Sequence, residues 1–211
     1  VERTTLADEA VTAAEAATSS LFRELFPEQV LSPGLLVHGA VHGFLSADVT
    51  NLERLYRDLG DSVTFGILRS FREKLESCVP AHRGTVVELT EEHLLAVFAG
   101  GQEAVEAGWK LATLLEQTTE TKALEIQWGA HVGPTLVATD QQAIRYFGRE
   151  VQRVRKLSRL SEPGAMLISR DLAIDPQIGE LLRERNARVL PPPKESAQTE
   201  EGSQLLALSQ R

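Results

Sequence analysis

Phe44-Leu45-Ser46-Ala47-Asp48-Val49-Thr50-Asn51-Leu52 is the stretch from which the fold is read. It has the pattern of a buried strand that ends on a carboxylate, turns, and opens into a polar helix start near Asn51. Such a corner sets an acidic side chain beside the free N–H groups of a helix start, and a metal ion with a phosphate chain needs both. The plainer reading is that Asp48 caps the following helix through the N–H of Asn51 or Leu52.

Outward from that corner, Leu35 to Asp48 is rich in Leu, Val and Ala, and the spacing predicts a strand. Beyond it, Leu59-Gly60-Asp61 divides a short helix from a longer one. Val63, Ile67, Phe71, Leu75 and Cys78 or Val79 mark one face of the longer helix, which ends near Pro80. Gly84 to Thr90 and His93 to Phe98 form a hairpin around Glu91-Glu92. A helix from Glu103 to Gln117 follows, then two strands, Leu124 to Val132 and Thr135 to Ala138, and a helix from Gly148 to Leu160. Met166 to Ser169 reads as a strand and Ile178 to Arg185 as a short helix. Ala187 to Leu190 and Gln204 to Leu208 close the chain around a loop from Pro191 to Ser203. Helices alternate irregularly with hairpins, which implies an α+β sandwich on a mixed sheet rather than a doubly wound parallel one.

At the other end, Thr5 and Asp8 resemble a helix cap, and Leu6, Ala10, Ala13, Ala17, Leu21 and Leu25 recur at helical spacing. This thin alanine stripe suits a helix that pairs with its own copy or connects to an upstream domain, or one that lies on the domain surface. Pro27 and Ser32-Pro33-Gly34 separate it from the rest, giving an N-terminal helix and linker over residues 1–34 and a domain over residues 35–211. A chain that starts at Val1 rather than Met reads as part of something longer.

Composition sets further bounds. With 42% hydrophobic and 25% charged residues the chain is a globular protein. Its net charge of −8 argues against a general nucleic-acid binder, which must neutralise phosphates. The single cysteine, Cys78, follows Leu75 on a helical face and reads as a small core residue. No apolar run has the length of a membrane span and no signal-peptide pattern opens the chain, so a cytoplasmic location without membrane insertion is expected. His38, His42 and His82 lack metal-ligand spacing, and His93 reads more plainly as a turn neighbour than as a site member. Arg145, Arg149, Arg153, Arg155, Lys156 and Arg159 make a local positive surface, a solvated helix face bridging to acids or a contact for an acidic partner or phosphate.

The order of elements resembles the class III nucleotidyl cyclase catalytic domain, over roughly residues 36–210. The resemblance is carried by Asp48 with Asn51-Leu52 and Leu59-Gly60-Asp61, by Gly84-Thr-Val-Val with Leu95-Ala-Val-Phe98, and by Tyr146-Phe147-Gly148-Arg-Glu-Val151. It implies a ferredoxin-like cyclase fold: a mixed, mainly antiparallel sheet flanked by helices and preceded by an N-terminal helix. It further implies attack of a ribose 3′-hydroxyl on the α-phosphate of ATP or GTP, at sites formed between two domains packed head to tail. Two ions, Mg²⁺ or Mn²⁺, held by two aspartates would activate the nucleophile.

Position by position, the resemblance puts Asp48 on the first metal aspartate. Glu92 falls on the second, with an extra methylene and without the preceding glycine. Glu88 and Arg145 fall on the two base-reading positions, where a bulky cation would crowd a purine edge and could pair with Glu88. Gln152 falls on the ribose-orienting asparagine and Lys156 on the transition-state arginine. Lysine keeps the charge but loses the planar fork that grips phosphate oxygens. Lys194 falls near a phosphate-binding lysine. Loss of one well-placed electrostatic donor costs about 10²–10³ in rate, and such losses are not additive within one site. The expectation is a degenerate cyclase homology domain that keeps its dimer interface for signalling, with or without bound ions. The alternatives are an active cyclase, either completed by a related chain in a heterodimer or using Glu92 and Lys156 in a divergent site, and a nucleotide sensor without turnover.

Overall fold

The computed structural model describes residues 37–140, 143–191, 193 and 202–207. The expected helix over residues 5–26 and Lys194 lie outside them. Strand β1 (Val37–Val49) is an interior strand of the sheet, and its alternation sorts the core. Leu45, Ala47 and Val49 join the larger cluster on one face, while Phe44, Ser46 and Asp48 point to the other. Helix α1 (Leu52–Leu59) follows, then α2 (Asp61–Ala81). The hairpin β2 (Gly84–Leu89) and β3 (His93–Phe98) leads into α3 (Gly101–Gln117) and a 3₁₀ turn, Thr121–Ala123. Then come β4 (Ile126–Asp140), β5 (Ala143–Phe147), α4 (Arg149–Leu160), β6 (Ala165–Ser169), α5 (Arg170–Ala173) and α6 (Pro176–Glu184). Strands β7 (Val189–Leu190) and β8 (Gly202–Ala207) finish the sheet.

The strand order is β2-β3-β1-β4-β6-β8-β7, with β5 paired to β4. All pairings are antiparallel except β4 with β6, which is the mixed α+β sheet the sequence implies. On one face, Phe71 and Leu75 of α2 and Leu111 and Leu115 of α3 pack with Leu45, Trp128, Met166 and Ile168. Cys78 is buried in this layer, and burial pushes its thiol up to about 11, against a small opposing pull from Lys110. On the other face, Val151 and Val154 of α4 pack on Phe44, Leu95, Val97 and Tyr146. Gly129 allows that contact. A Cβ there would stand 2.4 Å from Ser158 N and 2.7 Å from Val154 O, so α4 lies with its backbone on the strand.

One expectation is corrected. Leu124–Val132 and Thr135–Ala138 are not separate strands: β4 runs unbroken through Gly133-Pro134. Pro134 pairs with Val41 of β1. It lies in the gap on the other edge between the pairing with β6, which ends at Ala130, and that with β5, which starts at Leu136. An edge without a neighbour is where a strand tolerates the missing N–H of proline. Among the described residues no helix is long and apolar enough to cross a membrane.

Candidate functional site

Asp48, the next-to-last residue of β1, stands directly opposite the first residue of β3, His93. The turn before His93 fixes it twice: Thr90 N–H donates to the His93 carbonyl at 2.8 Å, and His93 N–H donates to Thr90 Oγ1 at 2.9 Å. So held, the His93 ring donates from Nδ1 to Asp48 Oδ1 at 3.0 Å. Ser158 of α4, brought close by Gly129, donates from Oγ to Asp48 Oδ2 at 2.5 Å and lies 3.0 Å from Ser46 Oγ. Burial alone would raise the Asp48 pKa. The hydrogen bonds from His93 and Ser158, with the charges of His93 and Arg159, outweigh it and hold the carboxyl below its usual range.

The helix start beside it is served differently. Asn51 makes no side-chain cap to α1. Instead its Nδ2 donates to the Ala123 carbonyl at 2.8 Å and its Oδ1 accepts from Glu125 N–H at 3.0 Å. Nor is Asp48 a cap for α1, since its carboxylate is turned to His93 and Ser158.

Glu92 sits exposed in the turn, one position beyond the Asp48–His93 pair, and its carbonyl accepts from Val49 N–H at 2.8 Å. Neighbouring Glu91 accepts from Tyr56 OH at 3.3 Å. Mg²⁺ and Mn²⁺ at such a corner need carboxylate oxygens with lone pairs turned to the ion. Here each oxygen of Asp48 already accepts a hydrogen bond, one from a ring N–H and one from a hydroxyl. Among the described residues no three His, Cys, Asp or Glu side chains are grouped to hold a metal. The residues present do not fit the paired ions that the resemblance implies.

The other expected positions gather elsewhere. Glu88, Arg145 and Gln152 line one cleft of about 350 Å³ together with Tyr146, Phe147 and Arg155. Glu88 is bonded there to Arg155 Nη2, a partner sequence reasoning did not name. Lys156 is exposed on α4, one turn after Gln152. The chain therefore carries two separate groups, the Asp48 corner and the Glu88–Gln152 cleft. The cationic run is largely tied to acids: Arg149 lies 3.4 Å and Arg153 3.2 Å from Glu150, Arg153 is also 3.6 Å from Asp171, and Arg155 holds Glu88.

A further polar contact, absent from the sequence reading, joins β4 to α4. His131, fully buried, lies with Nε2 2.6 Å from Glu150 Oε2. Desolvation lowers the His131 pKa, beyond what the Glu150 hydrogen bond and charge restore. Burial would raise the Glu150 pKa, but the His131 hydrogen bond and the charges of Arg153, His131 and Arg149 carry it below its usual value. The two directions agree on a neutral imidazole donating to a carboxylate. Its Nδ1, buried and without a hydrogen-bond partner, is then a bare lone pair rather than a stranded N–H. The only signal in the sequence is parity: His131, like Gln127 and Gly129, stands on the α4 face of β4.

The sequence matches no protein-family model and no curated protein. Solved structures similar to it include the adenylyl cyclase CyaB from P. aeruginosa, at 16% identity and a TM-score of 0.61, covering 84% of this chain and 97% of that one. An adenylate cyclase from Trypanosoma brucei, in its monomeric state, is 10% identical with a TM-score of 0.66, over 82% and 90% of the two chains. The non-canonical dimeric guanylyl cyclase domain of the RhoGC fusion protein from Blastocladiella emersonii is 13% identical with a TM-score of 0.63, over 83% and 99%.

Proposed function

We propose that this chain, whose fold is that of the adenylyl and guanylyl cyclase structures it resembles, is a catalytically degenerate member of that fold, acting as a dimerising regulatory module in signal transduction. One observation carries the reading: both oxygens of Asp48, the one metal position that keeps its aspartate, are bound within the chain by His93 and Ser158. Cyclisation requires ions that activate a hydroxyl and clamp the phosphates, and here the surviving aspartate already accepts on both oxygens while the second carboxylate, Glu92, stands out in the turn. Lys156 supplies a point charge where bidentate recognition would need a guanidinium fork.

The test is direct. The purified chain is mixed with ATP or GTP and with Mn²⁺ or Mg²⁺, and the cyclic product is sought. None is expected; turnover by the chain alone would overturn the proposal. Dimerisation, which the dimeric guanylyl cyclase domain makes plausible by its fold, is checked by sedimentation. Removing residues 1–30 should weaken self-association.

The cleft favours a second reading, nucleotide binding without turnover, because it keeps Glu88, Arg145 and Gln152 around one cavity. Calorimetry with ATP and GTP distinguishes the two: heat of binding in the absence of cyclic product supports the sensor.

A further inference from the structure

We infer that His93 is the stopper of the Asp48 corner: its imidazole stands where a divalent cation would bind, and its removal hands the carboxylate back to the ion. The inference rests on the degenerate reading above and names the residue responsible for it.

The two donors on Asp48 differ in how readily they let go. Ser158 Oγ has a second acceptor at hand, the Arg155 carbonyl at 2.9 Å. A rotation of the hydroxyl proton onto that carbonyl leaves an oxygen lone pair facing Asp48 and harmless to a cation. His93 has no such alternative. Its Nδ1 is bonded to Asp48, its Nε2 is buried without a hydrogen-bond partner, and its backbone is pinned at both N–H and C=O by Thr90. To free that oxygen the ring must give up the one hydrogen bond its nitrogens make, and its pinned backbone limits how far it can swing.

Charge points the same way. Arg159 adds positive charge near Asp48, so a cation arriving at the corner meets that charge and a ring N–H already donating to the carboxylate. The pair is still within reach of solvent, with the Asp48 side chain 19% and the His93 side chain 18% exposed. What keeps an ion out is therefore the donor itself and not a covering layer.

The experiment measures Mn²⁺ occupancy on the full chain by paramagnetic resonance of the free ion, with thermal unfolding alongside. The proteins are the unaltered chain, His93→Ala, and His93→Ala combined with Asp48→Asn. His93→Ala should bind Mn²⁺ about tenfold or more tighter than the unaltered chain, equal to about 1.4 kcal/mol. Its unfolding temperature should rise with Mn²⁺, and both effects should vanish in the double variant. Equal binding by the unaltered chain and His93→Ala, or binding that survives Asp48→Asn, overturns the inference. Should His93→Ala fail to fold alone, recovery on refolding with Mn²⁺ supports it. Failure with and without the ion makes His93 a structural post and overturns it. Because occupancy rather than turnover is read, the outcome is separable from the cyclase assay: a chain that made cyclic nucleotide would sink the degenerate reading, whatever His93→Ala bound.

Discussion

Glu88 of β2 and Arg155 of α4 are bonded to each other across the mouth of the cleft. The side chain that the resemblance casts as a base reader is thus engaged within its own chain. Both groups are partly exposed, so the pair contributes little. Arg155→Ala should lower the unfolding free energy by about 0.5–1 kcal/mol in a urea titration. A double-mutant cycle with Glu88→Gln should assign most of that loss to the pair.

The neutral His131 sets a pH dependence. Its pKa is lower in the folded chain than its ordinary value of 6.5. The stability it contributes is present above that value and is lost as pH falls toward the folded pKa, because the unfolded imidazole takes the proton first. As pH falls below about 6.5, unfolding free energy should fall by up to about 1.4 kcal/mol per pH unit. Glu150, also depressed, adds a second loss below its ordinary value of 4.5. Denaturant titrations at a series of pH values would show both, and His131→Gln should remove the first and shrink the second, which the His131 hydrogen bond helps to set.

Gly129→Ala should be among the most damaging single-methyl additions in the chain. The added carbon would meet backbone atoms of α4 and not a flexible side chain, so the helix itself must move. A loss of about 3 kcal/mol or more is expected from thermal or urea unfolding. The same shift would lift Ser158 from Asp48.

Beyond the start of α3, the sheet face that carries Leu45 continues over Val41, Pro134, Leu136 and Phe147. Val41 is 58% and Phe147 43% exposed. On the dimer proposal this face carries part of the contact. Phe147→Asp should shift sedimentation toward monomer while changing the unfolding free energy by less than about 0.5 kcal/mol.

The framework was legible because its signals are local. The apolar run into Asp48, the hairpin around Glu91-Glu92 and the helical stripe from Val63 to Val79 match β1, the β2–β3 pair and α2 closely. Gly133-Pro134 misled because those residues punctuate most strands, and only the arrangement of neighbours around β4 removes the cost. The clustering of Glu88, Arg145 and Gln152 came from family likeness alone. The contacts of His93 with Asp48, of Ser158 with Asp48 and of Arg155 with Glu88 join residues far apart in the chain. No periodicity carries such information. Each depends on the registers of β1, β3 and α4 being known first.

Burial of Cys78 gives this chain a clock. With the thiol pushed up to about 11 and enclosed between helix and sheet, almost none of it is thiolate in the folded state at neutral pH. A thiol-reactive dye can therefore label the chain's only cysteine just as often as α2 lifts from the sheet. The labelling rate counts those openings directly, without any engineered reporter.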